Sequence, residues 1–203
     1  MSVHRNKALD IPMNTSAEIS SLARAINLGE KPELKTTKTT QQFALLSTVP
    51  DGAAVEIFTD GACLNNPGPA AAAFAIVYRG AVLHSSARFL GPGTNNVAEL
   101  TAAIDGLRFL AERCDLSITL LSDSEQVVKA MPQWVPKWKA KGWRKTDGKP
   151  VLNRSLYEGL DAIASRFPSL TWQHIKGHAG HEFNELVDKL ATGTAAAGSA
   201  AVA

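Results

Sequence analysis

Two β-type runs, Val55–Asp60 and Leu116–Asp123, each end in an aspartate, and a long stretch closing on an amphipathic helix separates them. In the first run Val55, Ile57 and Thr59 alternate with Glu56, Phe58 and Asp60, the period of a strand. Strands joined by so long a connection can lie side by side in parallel, and a right-handed crossover then sets the intervening helix on one face of the sheet. Both strands would finish on the same edge, with Asp60 beside Asp123. In open α/β sheets that carboxyl edge is where sites form.

The intervening pattern agrees with a mixed α/β domain. The turn Asn65-Asn-Pro-Gly-Pro69 leads into an apolar run over 70–78, Arg79-Gly80 reads as a hairpin turn, and 81–89 as a third strand. Gly91-Pro92-Gly93 marks a break. A helix is expected from about Asn96 to Arg113, with Leu100, Ala103, Ile104, Leu107 and Leu110 on one face. Leu116–Ser122 is the fourth strand, and a helix begins at Ser124. A helix over 153–166, a fifth strand at Leu170–Ile175 and a helix at Phe183–Ala191 complete a five-stranded mixed sheet flanked by helices.

The two ends differ from this core. Residues 1–52 carry a capping-box pattern, Thr15-Ser-Ala-Glu18, followed by Ile19, Leu22, Ala23 and Ile26 at helical spacing. They read as a short helix on a linker or as a disordered tail, the tail being the slightly better fit. The domain proper is expected over 53–195, and 196–203 as an Ala-rich tail of frayed helix. No apolar run approaches the roughly 20 residues of a membrane helix, so no membrane association is expected. No apolar stretch follows Arg5 and Lys7, and two cysteines, Cys63 and Cys114, are too few for a disulfide framework. A cytoplasmic monomer is the expectation, with the N-terminal helix open to an unknown partner.

Four acids stand out. Singly, each has an ordinary explanation. Asp60 can cap a turn before Gly61, Asp123 can cap a helix, Glu99 in a first helical turn can partner Asn96 in a capping box, and Asp188 can sit on a solvated helix face. Two strand ends and two helices converging on one sheet edge weaken those explanations together. Gathered carboxylates raise one another's pKa, which makes the cluster costly without a cation. Oxygen ligands are what Mg²⁺ takes, and a pair of such ions can drive in-line displacement at phosphorus.

The strings Ile57-Phe-Thr-Asp-Gly-Ala-Cys-Leu64, Asn65-Asn-Pro-Gly-Pro69, Thr94-Asn-Asn-Val-Ala-Glu-Leu100, Ser122-Asp-Ser124 and Lys176-Gly-His-Ala-Gly-His181 resemble type 1 ribonuclease H, in order and spacing, across roughly 53–195. The resemblance implies a ribonuclease H-like fold and hydrolysis of the RNA strand of RNA–DNA hybrids. It implies that Asp60, Glu99, Asp123 and Asp188 are catalytic and hold two Mg²⁺ ions (Mn²⁺ being the alternative), with Asp60 bridging them. It gives His178 a part in proton transfer or product release, which a side chain titrating near neutrality suits. His181 matches no such role, and Glu185 reads as surface.

Between Lys129 and Lys149 the cations Lys129, Lys137, Lys139, Lys141, Arg144, Lys145 and Lys149 are opposed only by Asp147, although the whole chain carries just +2. Such a local basic segment is a candidate nucleic-acid footprint. Trp134, Trp138 and Trp143 lie within it. The resemblance matches this segment to a basic protrusion that grips the DNA strand, with tryptophans holding it together and cations meeting phosphate. Asn66, Asn95 and Asn96 become candidates for sensing the hybrid's 2′-OH groups, and Thr94 and Asn153 for holding a DNA phosphate. Pro92 stands where relatives often have an arginine, which puts DNA-strand grip there in doubt; Ala62 and Ala70–Ala73 are further departures. A silent hybrid-binding module and a transposase or integrase core are the rivals. All four acids are present, against the first, and the Lys176–His181 loop is foreign to the second.

Overall fold

A computed structural model describes residues 42, 44–177 and 179–202; the helix expected within 1–52 and His178 lie outside them. Five strands, β1 (Ala54–Cys63), β2 (Gly68–Tyr78), β3 (Ala81–Gly93), β4 (Ser117–Ser122) and β5 (Leu170–His174), form one sheet in the order β3-β2-β1-β4-β5. The first three pair antiparallel, while β1–β4 and β4–β5 are parallel. Arg79 and Gly80, both at positive φ, make the tight turn between β2 and β3. The helices are α1 (Asn95–Phe109), α2 (Glu125–Val128), α3 (Val135–Ala140), α4 (Arg154–Ala164) and α5 (Glu182–Val202).

The central strand β1 is buried on both faces. Ile57 joins Phe74, Ile76, Leu100, Ile104, Leu107 and Leu160 in the larger core cluster. Its neighbour Phe58 points the other way, into a smaller cluster with Ala73, Ala75, Val77, Val187 and Ala191. Alternate side chains of one strand therefore serve two helical layers, as a two-residue period requires. The parallel register pairs Phe58 with Leu121, so Asp60 and Asp123 each lie two residues beyond the same rung. The expected juxtaposition of the two strand ends is met.

Three expectations need correcting. β3 runs through Gly91-Pro92-Gly93 instead of breaking there. It is an edge strand, where a proline's missing N–H costs little. The Ala-rich stretch expected as a fraying tail is helix through Val202. Alanine is the strongest helix former, and Ala191 and Ala195 are buried, so packing extends the helix past Gly193.

The third correction concerns the upstream boundary. A helical turn at 44–46 precedes β1, and Leu46 and Val49 are 3% and 2% exposed within the larger core cluster. Arg113, just beyond α1, donates to the carbonyls of Leu46 (2.5 Å), Val49 (2.9 Å) and Pro50 (3.1 Å). It also holds Asp115, whose carboxyl is pulled down to about 2, chiefly by the hydrogen bond from Arg113. The packed domain thus begins before residue 53. Leu46→Ala should lower unfolding free energy by about 2–3 kcal/mol, the cost of emptying a buried leucine site. A urea midpoint unchanged from wild type would show that this segment is not part of the core.

Candidate active site

Asp60 lies on β1, three residues before its end at Cys63, and is 8% exposed, while Glu99 on α1 is 4% exposed. Thr94 is the N-cap of α1, its hydroxyl accepting from the Val97 N–H at 3.4 Å. Glu99 therefore lies one turn inside the helix, and the first-turn capping-box alternative is set aside. Asp123 follows β4 directly. One carboxylate oxygen from each of Asp60, Glu99 and Asp123 falls within 4.8 Å of the others. Asp188, on α5, lines the same open cleft of about 460 Å³ but is not part of that tight trio.

Two close approaches make this crowding possible. A Cβ on Gly61 would sit 2.2 Å from the Glu99 backbone nitrogen, so only glycine lets β1 press against α1 at that point. A Cβ on Gly177 would sit 2.5 Å from Asp123 Oδ2, so the loop after β5 lies directly against that carboxylate. His174 Nε2 stands 3.1 Å from the Asp123 carbonyl oxygen.

The trio is electrostatically strained. Burial first, then the charges of Asp60 and Asp123, pushes the Glu99 carboxyl well above the ordinary carboxylate range, against smaller opposing effects of the Gly61 N–H and the Asn95 amide. Glu99 Oε2 is buried with no hydrogen-bond partner among the described residues. An orphaned carboxylate oxygen beside two further acids fits a hard divalent cation, which takes oxygen ligands and would relieve the repulsion.

The remaining candidates fall into two groups. Asn66 accepts the Asn95 N–H at 3.0 Å, which ties the β1–β2 turn to the start of α1 next to Thr94. Asn96, Asn153, Trp134, Trp138 and Lys145 line a second cleft of about 390 Å³. Trp138 meets Tyr157 edge-on at 5.1 Å and Trp134 at 5.9 Å. Lys141 is exposed, Lys139 is paired with Asp161 at 2.7 Å, and Arg144 donates to the Gly148 carbonyl at 2.9 Å. Trp143, at 9% exposure and with the Arg154 guanidinium 5.4 Å over its ring, packs into the core of the basic segment. The His181 ring lies 5.0 Å from that of Phe58.

Cys63, Ser124 and Thr192 also line the acidic cleft and were not singled out from sequence. Thr192 donates to Asp188 Oδ1 at 3.3 Å, four residues along α5, a spacing that could have flagged it.

Fold and site together define a class: an α/β domain with a carboxylate cluster able to take a cation at the carboxyl edge of its sheet. The RNase H family model matches residues 52–196, and the chain belongs to that enzyme family. A ribonuclease H of Aliivibrio salmonicida is 45% identical over 137 residues, covering 68% of this chain and 85% of the relative. One from Escherichia coli is 44% identical over 141 residues, covering 70% and 88%. Among solved structures, the N-terminal RNase H domain of a Mycobacterium tuberculosis protein, fused to maltose-binding protein, superposes with a TM-score of 0.59 at 27% identity over 74% of this chain and 99% of that one. LC11-RNase H1, isolated from compost and solved in complex with an RNA/DNA hybrid, gives 0.53 at 30% identity over 68% and 97%.

Relieving the repulsion has a measurable consequence. Without divalent cations, Asp60→Asn should raise stability by about 1 kcal/mol, or roughly 2–4 °C in Tm. A lowered Tm in EDTA would contradict the strained-trio description.

Proposed function

We propose that this chain is an endonuclease that cuts the RNA strand of RNA–DNA hybrids with two divalent cations, Mg²⁺ with Mn²⁺ as the alternative, leaving 5′-phosphate and 3′-hydroxyl ends. The observation that carries the reading is the close-set trio Asp60, Glu99 and Asp123 with its orphaned Glu99 oxygen, in a chain of the RNase H family. Asp60, Glu99, Asp123 and Asp188 would hold the ions. Bound there, the cations would supply Lewis-acid charge for activating water and stabilising the leaving oxygen at phosphorus. His178 serves proton transfer or product release from the loop that reaches Asp123 through Gly177.

The rest of the site would set the substrate. Asn95, beside Glu99, and Asn96 open α1, Asn66 of the β1–β2 turn is hydrogen-bonded to the first of them, and all three suit contacts to 2′-OH groups that DNA lacks. Thr94 and Asn153 hold phosphate of the DNA strand, and Lys139, Lys141, Arg144 and Lys145 track its backbone, with Trp134 and Trp138 forming the wall between. Phosphate contacts of this kind position a duplex without reading its sequence. A single catalytic domain acting as a monomer in the cytoplasm, on hybrids such as replication primers and R-loops, follows from this reading.

The test is cleavage of a labelled hybrid with Mg²⁺, set against EDTA and against matched RNA and DNA duplexes. Metal-dependent cuts confined to the hybrid's RNA strand are expected, and Asp60→Asn should lose at least about a thousandfold in rate while binding hybrid nearly as well. Hybrid binding with no cutting in the wild type would favour the silent module. Neutralising Lys139, Lys141 and Arg144 together should lower the slope of log K against log salt by about 2–3; an unchanged slope removes the basic segment from the interface.

A further inference from the structure

Asn95 is the first residue of α1, where a polar side chain commonly serves the exposed helix end. That duty is already met here. Thr94 supplies the cap, and the Asn95 backbone N–H is taken by Asn66 Oδ1 at 3.0 Å. The side-chain amide instead donates to Glu99 Oε1 at 3.4 Å, one turn along the same face. It is half-buried and shares the acidic cleft with Asp60, Asp123 and Asp188. With Oε1 engaged, Glu99 keeps Oε2 as a buried acceptor with no partner among the described residues.

We propose that Asn95 is a positioning residue for Glu99: its amide holds Oε1 so that Oε2 is presented to a cation, and Asn66 anchors Asn95 in turn. This rests on the reading that Asp60, Glu99 and Asp123 form a cation site. It links the β1–β2 turn, a candidate hybrid contact, to a candidate metal ligand through two successive hydrogen bonds. An acceptor-only carboxylate can choose among rotamers and between its two oxygens. The Asn95 amide, acting beside the Gly61 N–H, narrows that choice by holding Oε1.

Calorimetric titration of Mn²⁺ into the full-length, substrate-free protein tests the proposal. Asn95→Ala should weaken Mn²⁺ binding roughly fivefold to tenfold, the effect of one hydrogen bond to a charged group. In a Glu99→Gln background the same change should alter affinity by less than about twofold, because the two residues act through one bond. Asn95→Leu, close in volume but without the amide, should reproduce the alanine result, and thermal melts check folding of each variant. The kcat of Asn95→Ala should fall at low Mg²⁺ and recover at high Mg²⁺, separately from any rise in KM for hybrid caused by the lost 2′-OH contact. Wild-type Mn²⁺ affinity in Asn95→Ala, with loss confined to hybrid binding, would overturn the proposal and leave a substrate contact only. Equal losses in both backgrounds would also overturn it. No Mn²⁺ binding by the wild type would bring down the cation-site reading as well.

Discussion

Three carboxylates held within a few ångströms on the wall of an open cleft repel one another, and the architecture around them works to keep them there. Asp60 and Asp123 arrive together because β1 and β4 are parallel and in register. Glu99 arrives because Gly61 has no side chain to hold α1 away. None of these placements is locally favourable, as the upward push on the Glu99 carboxyl shows. The favourable contribution comes from elsewhere, from Ile57 and Phe58 fully buried on opposite faces of one strand. A core this well packed can carry a destabilised site, which is the usual balance between stability and activity.

Much of this was legible in the sequence because it rests on periodicity. The alternation in Val55–Asp60 and the helical stripe Leu100, Ala103, Ile104 and Leu107 are local patterns, and the crossover rule converts them into neighbouring strand ends. The motif strings supplied the acids. What stayed hidden depends on contacts between residues far apart. Nothing near Leu46 announces that Arg113, at the far end of α1, will collect its carbonyl. The run after Gly193 has a tail's composition, and only burial of Ala195 shows it to be a packed helix. Glu99 was found, yet its place one turn into α1 depends on Thr94 capping the helix, with Asn96 inside it.

The basic segment divides its labour between ring and charge. Trp138 and Trp143 are tied inward, to Tyr157 and beneath Arg154, while Lys141, Lys145 and Lys149 remain at the surface. A cation-rich stretch of this length would repel itself if left without a scaffold, and the indoles provide that scaffold through apolar contact. The ion pair of Lys139 with Asp161 of α4 fastens the segment to the main domain.

Asp188 belongs to a different mechanical regime from the other acids. Asp60 is held in the β1–β2 ladder and Asp123 directly follows β4, whereas Asp188 rides on α5, whose Val187, Ala191 and Ala195 are buried. Each residue of a helix advances roughly 100° about its axis, so the angular phase of α5 decides whether this acid faces the cleft or solvent. That phase is set by Val187, Ala191 and Ala195, seated beside this acid and over the next two turns, together with Phe183 and the His181 ring of the preceding loop, which both pack on Phe58. The fourth acid is therefore aimed like the bit of a key, by the fit of the shank that carries it.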